Sequence, residues 1–425
     1  MTTPHSDVLI VGAGPAGLSL AISLAQAGFT ATVVEQQCEA ALAAPAPDGR
    51  EIALTHPSRA ILRRLGTWAG LAECEVGTIA QAQVHDGPLG QHSALQLNAP
   101  EASRSDSGTA ALGFIVPNQA LRRTAYAVAA CTPGVHIISS AQVVRVATLP
   151  AHAELDYLPA GAPARHGAVA PPQRLRAALL VAADSRFSAT RRQLGIGAQM
   201  SDFGRTVIVC RLRHTVAHGR VAHECFGYER TLAVLPLPDT ADGHPQCSAV
   251  VTTSAADAAA LMALSPRDFA AQVQAQFRQR LGAMELEGER HAYPLVATYA
   301  DRFAGPRCAL LGDAAVGMHP VTAHGYNLGL AGVERLTAAL VDARQRGQDI
   351  GSMATLAPCA RAHHRHAWPI YQGTNAIVRL YTDARPVPRL LRQLVLQGAR
   401  RLPPLQAAIV RQLTGKPTPR ARMEA

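Results

Sequence analysis

The stretch Asp7-Val8-Leu9-Ile10-Val11-Gly12-Ala13-Gly14-Pro15-Ala16-Gly17 decides the fold of this chain. Residues 7–11 are apolar and end at a glycine, which predicts a short buried strand. Residues 16–27 carry apolar side chains at helical spacing and are followed by Gly28, which predicts a helix and its end. Residues 31–35 predict a second strand. Together they form a βαβ unit of about 30 residues, the usual size of that motif.

The glycine-rich turn of this unit predicts dinucleotide binding. Gly12 permits the tight turn, Gly14 lets the backbone approach a pyrophosphate, and Gly17 lets helix and strand pack closely. The helix N-terminus adds N–H donors and a positive dipole. Glu35 ends the second strand about 20 residues later, where an acid can accept hydrogen bonds from the ribose of FAD or NAD. A purely structural turn is the alternative, and the strand, the helix and the acid together favour a cofactor.

A second motif lies far along the chain and comprises Gly312-Asp313-Ala314-Ala315, His319-Pro320 and residues 325–330. Residues 307–311 predict a short strand, and an acid directly after a strand can bind ribityl hydroxyls. A glycine-rich turn that opens the helix predicted over 328–344 can direct N–H groups at negative charge developing on a reduced flavin. Taken alone, Asp313 is more typical of an Asx turn or a helix cap than of a flavin ligand. Together with the first motif, it favours a flavin site.

Composition limits the remaining interpretations. A chain of 425 residues with 48% hydrophobic and 16% charged residues predicts two interlocked globular domains. The net charge of +10 comes from arginine, and it favours membrane surfaces or anionic substrates over nucleic acid. The uncharged stretch between Asp7 and Glu35 is interrupted by glycine and proline, so we predict neither a signal peptide nor a membrane span. Eight cysteines without a C-x-x-C pair predict reduced, mostly buried thiols in a cytoplasmic protein.

The residues between the two motifs predict further elements. A helix is expected over 55–65, and a strand and then a helix with Asn118 as its N-cap are expected over 113–130. Antiparallel strands are expected over 207–213, 231–237 and 247–253, and a helix is expected from Ser265-Pro266. Residues 40–47 predict a loop, and residues 150–173 predict a mobile insertion between strands.

This order predicts an α/β fold in which a Rossmann-like FAD-binding domain is interrupted by a smaller mixed β-sheet substrate domain. We expect the FAD-binding domain to comprise residues 1–75, 98–190 and 295–345. The substrate domain would comprise residues 76–97 and 191–294, and residues 346–425 would form a helical C-terminal segment.

The motifs resemble those of the flavoprotein aromatic hydroxylases over nearly the whole chain. They include residues 12–17 with Glu35, Asp184 with Arg186, and Gly312-Asp313 followed by His319-Pro320 and residues 327–330. Arg50-Glu51-Ile52-Ala53-Leu54 is similar to the arginine segment of the ubiquinone-biosynthesis hydroxylases. The strings at 50–55 and 322–325 point to a bacterial subgroup of demethoxyubiquinol hydroxylases. The resemblance implies an FAD enzyme that uses transient NAD(P)H and O2 to hydroxylate a polyprenylated phenol or quinol.

Carried over residue by residue, the resemblance implies a role for each residue of the site. The adenosine diphosphate would be held by Gly12, Ala13, Gly14, Pro15, Ala16, Gly17 and Glu35. Asp184 would serve the pyrophosphate region and the incoming nicotinamide cofactor, and Asp313 would bind the ribityl chain. Arg50 and Arg122 would contact the flavin side. The isoalloxazine edge would be contacted by Gly325, Tyr326 and Asn327. Two segments depart from the family pattern: in the first, Ser185 stands where the family has glycine, and in the turn at 322–327, His324 and Tyr326 replace its Gln and Leu.

Few side chains are candidates for direct catalysis. His319, Pro320 and Tyr326 stand beside the turn expected to face the flavin, and a histidine there could titrate near neutral pH. A packed or capping role for His319 is equally open. The cluster His363-His364-Arg365-His366 predicts no metal site, because adjacent side chains on a helix diverge.

The C-terminal segment from Arg385 is arginine-rich and has leucines at helical spacing. Arg389, Arg392, Arg400, Arg401 and Arg411 accompany Leu390, Leu391, Leu394 and Val395. Such a segment could bind the anionic inner face of a membrane or could pack on the catalytic domain.

Two other function classes stay open at the level of sequence. One is a different flavin enzyme of the same fold, such as a halogenase or a prenyl reductase. The other is a non-catalytic, FAD-stabilised component of a ubiquinone-biosynthesis complex. No motif in the sequence predicts which ring position of the substrate is hydroxylated or how long its prenyl tail is. The same holds for the preferred nicotinamide and the oligomeric state.

Overall fold

The structure is a computed structural model, and it describes residues 6–87, 89–90, 95–101, 103, 108–160, 171–227, 230–319, 324–382 and 403–415. In the described residues the strands begin with β1 (Ser6–Val11), β2 (Ala31–Val34), β3 (Glu51–Leu54), β4 (Gly77–Ile79), β5 (Gln81–Asp86), β6 (Leu95–Asn98), β7 (Gly113–Pro117), β8 (Val135–Ile138), β9 (Ala141–Thr148) and β10 (Ala153–Pro159). They continue with β11 (Gln173–Ala182), β12 (Ala198–His214), β13 (Val221–Phe226), β14 (Thr231–Leu237), β15 (Gln246–Ser254), β16 (Met284–Ala300), β17 (Ala304–Gly305), β18 (Cys308–Leu310) and β19 (Val316–Gly317).

The α-helices of the described residues are α1 (Pro15–Gln26), α2 (Glu39–Ala43), α3 (His56–Arg64), α4 (Asn118–Cys131), α5 (Ala189–Gln193), α6 (Ala255–Ala263), α7 (Pro266–Gln276), α8 (Gly325–Gln345), α9 (Met353–Thr382) and α10 (Pro403–Thr414). None of them is long and apolar enough to cross a membrane.

The first sheet has a parallel centre in the order β18-β11-β1-β2-β8. One of its faces packs against α1, α4 and α8 through a core that includes Ile10, Ile22, Leu121 and Leu336. On the other face, side chains such as Leu9 pack with residues of β9, β10 and β11. This is the predicted Rossmann-like arrangement.

The second sheet runs in the order β19-β16-β12-β15-β14-β13-β5-β6, and its pairs are antiparallel except for β13 with β5. Alternate side chains of β12 point to opposite faces. Ile208, Cys210 and Leu212 pack against α6 and α7, whereas Val207 and Val209 pack with Tyr293 on the opposite face. A small third sheet, β3-β7-β4, completes the described strands. The α/β fold with a mixed second sheet is therefore confirmed, while the predicted domain boundaries stay a prediction.

Most of the predicted elements are confirmed, and four details are corrected. Residues 40–47 are not all loop, because α2 ends at Ala43. The insertion predicted over 150–173 contains β10, which is ordered by pairing with β9 and β11. Asn118 is the first residue of α4 rather than its N-cap, and its amide binds Asp48. Only four of the eight cysteines are buried, and Cys38, Cys74 and Cys131 are exposed.

The C-terminal segment packs on the protein where the structure describes it. Ile409 and Val410 of α10 lie against an apolar cluster with Leu95, Leu97 and Phe226. Arg411 is exposed there. The other residues of the membrane prediction, 385–402, lie outside the described part of the chain.

Candidate functional site

The turn between β1 and α1 is shaped by two close backbone approaches. Gly12 has φ of 106°, and a methyl group there would lie 2.6 Å from the carbonyl oxygen of Ala183. A methyl group on Gly17 would collide with the carbonyl oxygen of Gly12. By contrast, the space beside Gly14 is open, with no atom within 4 Å of where its Cβ would lie. The turn therefore leaves an open approach to the N-terminal N–H groups of α1, the feature that binds a pyrophosphate.

Glu35 closes this turn from the end of β2. Its Oε2 accepts the N–H of Ala13 at 2.7 Å, and its Oε1 accepts the N–H of Gln37 at 2.9 Å. Each carboxylate oxygen has a further lone pair, which leaves room for a ribose hydroxyl. Arg122 donates to Oε1 of Gln37 at 2.7 Å, so Arg122 lies at this end of the site.

The second motif lies directly against the first. A methyl group on Gly312 would be 3.2 Å from Cβ of Ala16, and one on Gly329 would be 3.7 Å from the same atom. Asp313 follows β18 and forms an ion pair of 3.0 Å with Arg186, and 41% of its side chain is exposed. Ala16 therefore lies against two motifs that are far apart in sequence. The partly exposed carboxylate of Asp313 belongs to the residue directly after Gly312.

Asp184 stands next to the same turn, at the end of β11. Its Cα would lie 2.8 Å from a methyl group on Gly12. One carboxylate oxygen accepts the N–H of Thr190 at 3.3 Å. The other, Oδ1, is buried and has no hydrogen-bond partner among the described residues. A buried acceptor without a donor costs about 1–3 kcal/mol, and it marks a place where a ligand could donate.

His319 differs from the prediction that it titrates near neutrality. It is buried and lies edge-on to Phe203, with ring centroids 5.3 Å apart. Burial, together with the nearby guanidinium of Arg186, lowers the pKa of His319 to about 4. The ring is therefore neutral at neutral pH. Pro320 lies outside the described residues.

The N-terminus of α8 is tied to β3 by one side chain. The amide nitrogen of Asn327 donates to the carbonyl of Ala53 at 2.9 Å, and its oxygen accepts the N–H of Thr55 at 3.0 Å. Gly325 opens the helix with no atom within 4 Å of where its Cβ would lie. The first N–H groups of α8 are free of intrahelical partners, so this end can receive negative charge.

Tyr326 faces α1. Its hydroxyl lies 3.4 Å from that of Ser19. Burial raises the pKa of Tyr326 to about 12, so the phenol stays protonated. Its predicted roles in catalysis and flavin contact stay predictions.

Arg50 lies where the loop before β3 meets the second sheet. Its guanidinium forms an ion pair of 2.6 Å with Asp48 and stands 5.7 Å from the ring centroid of Tyr293. The hydroxyl of Tyr293 donates to the carbonyl of Asp48 at 2.7 Å. Asn118 also donates to Asp48, at 2.7 Å. Because Asn118 and Arg122 are one turn apart on α4, this helix links the Arg50 loop to the Glu35 end of the site.

Glu51 was missed by the sequence analysis as a functional residue. Its side chain is only 1% exposed, and its Oε1 accepts from Arg211 of β12 at 2.7 and 2.8 Å. Its Oε2 is buried without a hydrogen-bond partner in the described chain. Burial raises the pKa of Glu51 to about 7, against the lowering effect of Arg211. The sequence did offer one signal, because Glu51 is a charged residue next to Arg50 in a segment that forms a strand. A charged side chain is seldom buried in a strand without an ion-pair partner.

An apolar patch lies between Arg50 and His319. It belongs to the face of the second sheet turned away from α6 and α7, and it consists of Val207, Val209, Leu295, Phe203, Val250 and Tyr293. Tyr293 contacts the Arg50 loop, and Phe203 contacts His319. Such a patch suits an aromatic ring.

These observations fit FAD. The open approach at Gly14, the carboxylate of Glu35, the unpartnered Oδ1 of Asp184 and the exposed Asp313 supply the groups that a dinucleotide needs. The histidine cluster instead packs on the fold, where His363 is buried and bonds Arg335 at 3.2 Å. Within the described ranges no group of three or more His, Cys, Asp or Glu is placed to hold a metal ion.

Comparison with known proteins gives concordant findings. The model of the FAD binding domain family matches residues 5–350. The chain is 43% identical to ubiquinone hydroxylase UbiM of Neisseria meningitidis serogroup C, over 97% of its own length and 85% of that relative. It is 32% identical to ubiquinone hydroxylase UbiL of Rhodospirillum rubrum, over 96% of its own length and 90% of that relative.

Among solved structures, the p-nitrophenol 4-monooxygenase PnpA from Pseudomonas putida DLL-E4 is similar with a TM-score of 0.74. The alignment covers 97% of this chain and 99% of that one at 17% identity. At this identity the likeness shows the fold.

Proposed function

This chain belongs to the FAD binding domain family and, within it, to the ubiquinone hydroxylases, and from that premise we propose that it hydroxylates the ring of a polyprenylated phenol or quinol. The protein is an FAD-dependent monooxygenase that uses NAD(P)H and O2. The proposal extends to demethoxyubiquinol-type hydroxylation in ubiquinone biosynthesis. The observation that carries it is the contact of both motifs at Ala16, with the apolar patch nearby.

Bound FAD supplies the redox chemistry, which is acceptance of a hydride from NAD(P)H and activation of O2. We propose that the N-terminus of α1 and Glu35 hold the adenosine diphosphate, and that Asp184 serves the pyrophosphate region. Asp313 accepts from the ribityl chain. The N-terminus of α8, with Gly325, stabilises negative charge on the flavin ring.

Arg50 and the apolar patch border the place for the substrate ring. Val207, Val209 and Leu295 are buried there beside Phe203 and Tyr293. Neutral His319 closes the patch next to Phe203, and we assign it to positioning the ring rather than to proton transfer at neutral pH.

The experiment measures NAD(P)H oxidation by the purified flavoprotein with and without a short-tailed prenylphenol or demethoxyubiquinol. The proposed function predicts faster oxidation with the ring compound and a hydroxylated product. Faster oxidation without such a product would favour another flavin reaction. A protein that retains FAD yet never oxidises NAD(P)H would favour a scaffold role.

We also propose that the protein works at the cytoplasmic face of a membrane, where a polyprenylated substrate resides. The supporting surface, which we name the α9 stripe, consists of the exposed residues Arg361, Arg365, Trp368, Gln372 and Arg379. Their spacing places them on one face of the helix. No acidic residue occurs from 350 to 382. An exposed tryptophan among arginines suits an anionic bilayer surface, and an acidic partner in a biosynthetic complex would be the competing occupant.

A further inference from the structure

We propose that Glu51 binds a ring hydroxyl of the substrate and accepts its proton during hydroxylation. The assignment rests on the proposed function, because it needs a phenolic or quinolic substrate. It starts from a buried carboxylate that the cofactor site does not use.

Glu51 lies on β3, which is contacted both by the N-terminus of α8 and by the second sheet. Further along the chain, Asn327 at the N-terminus of α8 binds Ala53 of β3 and Thr55, the residue directly after the strand. The preceding residue is Arg50, which stands over Tyr293. Glu51 therefore lies on the strand that joins the N-terminus of α8 to the second sheet.

One oxygen of the Glu51 carboxylate accepts hydrogen bonds, whereas the other has no donor among the described residues. Arg211 donates to Oε1 through two nitrogens, at 2.7 and 2.8 Å. Oε2 is buried without a donor in the described residues, although only 1% of the side chain is exposed. A purely structural ion pair would be expected to satisfy both oxygens. The free oxygen is explained if a ligand hydroxyl is its partner.

Neighbouring charged groups affect how readily Glu51 ionises. From the preceding loop, Asp48 opposes its ionisation, whereas Arg211 of β12 favours it. From β16 come Tyr293, which donates to the Asp48 carbonyl, and His291, whose ring lies against Gly49.

Burial dominates over these charges and raises the pKa of Glu51 to about 7. A carboxylate whose pKa is near the working pH is suited to accept a proton and to release it again.

The proposed step moves one proton and no electrons. The O–H bond of the ring hydroxyl breaks, its electron pair stays on the ring oxygen, and a new O–H bond forms on Oε2 of Glu51. The negative charge makes the ring carbons more nucleophilic, as oxygen transfer to the ring requires. The ring carbon that receives the oxygen later loses its hydrogen as a proton to water, and its C–H electron pair returns to the ring. The proton held on Oε2 of Glu51 then passes back to the ring oxygen, which restores the hydroxyl and the carboxylate.

The test compares the unsubstituted protein with Glu51→Gln, which keeps the size of the side chain and removes its basicity. A matched control is Glu287→Gln, since Glu287 pairs with Arg213 on the same sheet and is 31% exposed. Two quantities are measured from pH 5.5 to 8.5. They are the rate of hydroxylated product formation and the Kd of a short-tailed demethoxyubiquinol for the oxidised enzyme, read from the flavin absorbance.

For the unsubstituted protein we expect product formation to rise with pH through about 7, and binding to weaken below it, as Glu51 protonates. Glu51→Gln should form product about a hundredfold more slowly at pH 8, and its Kd should not vary with pH. Glu287→Gln should keep both pH profiles. Unchanged profiles in Glu51→Gln, with FAD and fold retained, would overturn the assignment. If the unsubstituted protein hydroxylates no phenol or quinol, it is the proposed function that fails.

Discussion

Asp313 carries the clearest prediction at the scale of single residues. Its carboxylate is partly exposed and pairs with Arg186, and we assign it as the acceptor for the ribityl chain. A charge-assisted hydrogen bond contributes about 1.5–3 kcal/mol, so Asp313→Ala should weaken FAD binding roughly tenfold to a hundredfold. Flavin occupancy after dilution measures this. Asp342→Ala, which removes an exposed pair with Arg346, should retain FAD, and full occupancy in Asp313→Ala would refute the role.

Glu35 should affect FAD affinity without affecting the flavin ring. Its carboxylate holds the N–H of Ala13 and is assigned to the ribose, which is remote from the ring. Glu35→Ala should raise the Kd for FAD and leave the visible absorption maxima unchanged. The measurement is an FAD titration of the apoprotein followed by its visible spectrum. A shifted band at saturating FAD would mean that Glu35 is placed wrongly.

The residues predicted from sequence are those that belong to local motifs. Glu35 and Asp313 could be predicted as site residues because each follows a strand at a characteristic distance from glycines. The ion pair of Glu51 could not be predicted, since Arg211 is 160 positions away in the sequence. The lowered pKa of His319 could not be predicted either, because the burial of the ring depends on packing between separate elements.

At the scale of elements, β3 connects the two halves of the site. Asn327 of α8 binds Ala53 of β3 and Thr55 directly after the strand. Arg211 of β12 binds Glu51 of β3. Losing both hydrogen bonds of Asn327 should cost about 1–3 kcal/mol, at roughly 0.5–1.5 kcal/mol each. Urea unfolding of Asn327→Ala should show that loss. Gln345→Ala, at the exposed end of α8, should unfold like the unsubstituted protein, and equal stability of the two variants would contradict the connection.

Elements with their own start and stop signals were predicted well. The βαβ unit is one case, and α7, which begins after Ser265, is another. By contrast, β10 forms through pairing with β9 and β11, and the Ala/Pro-rich α2 is only five residues long. Neither has a strong local pattern, so their existence depends on contacts that sequence alone does not display.

At the scale of the whole molecule, the α9 stripe predicts binding to anionic vesicles. Each basic residue near such a surface contributes about 1 kcal/mol. Replacing Arg361 and Arg365 by glutamine and Trp368 by alanine should therefore reduce cosedimentation at least tenfold while FAD stays bound. Binding should also weaken as salt rises, because charges are screened over about 8 Å at physiological ionic strength.

A matched control replaces the exposed Arg267 and Arg302 by glutamine, which lowers the net charge equally away from the stripe. It should cosediment like the unsubstituted protein. Equal vesicle binding by the stripe variant and this control would remove the membrane role of α9 and leave an acidic protein partner as the occupant to test.

The central claim is that this flavoprotein inserts an oxygen atom from O2 into the ring of a prenylated quinol or phenol. The most direct measurement supplies a short-tailed demethoxyubiquinol, NAD(P)H and ¹⁸O₂ to the purified protein and determines the product by mass spectrometry. We expect a hydroxylated ring carrying one ¹⁸O atom, with consumption of NAD(P)H. A product that takes its oxygen from water, or NAD(P)H oxidation that yields only hydrogen peroxide with every ring substrate, would contradict it.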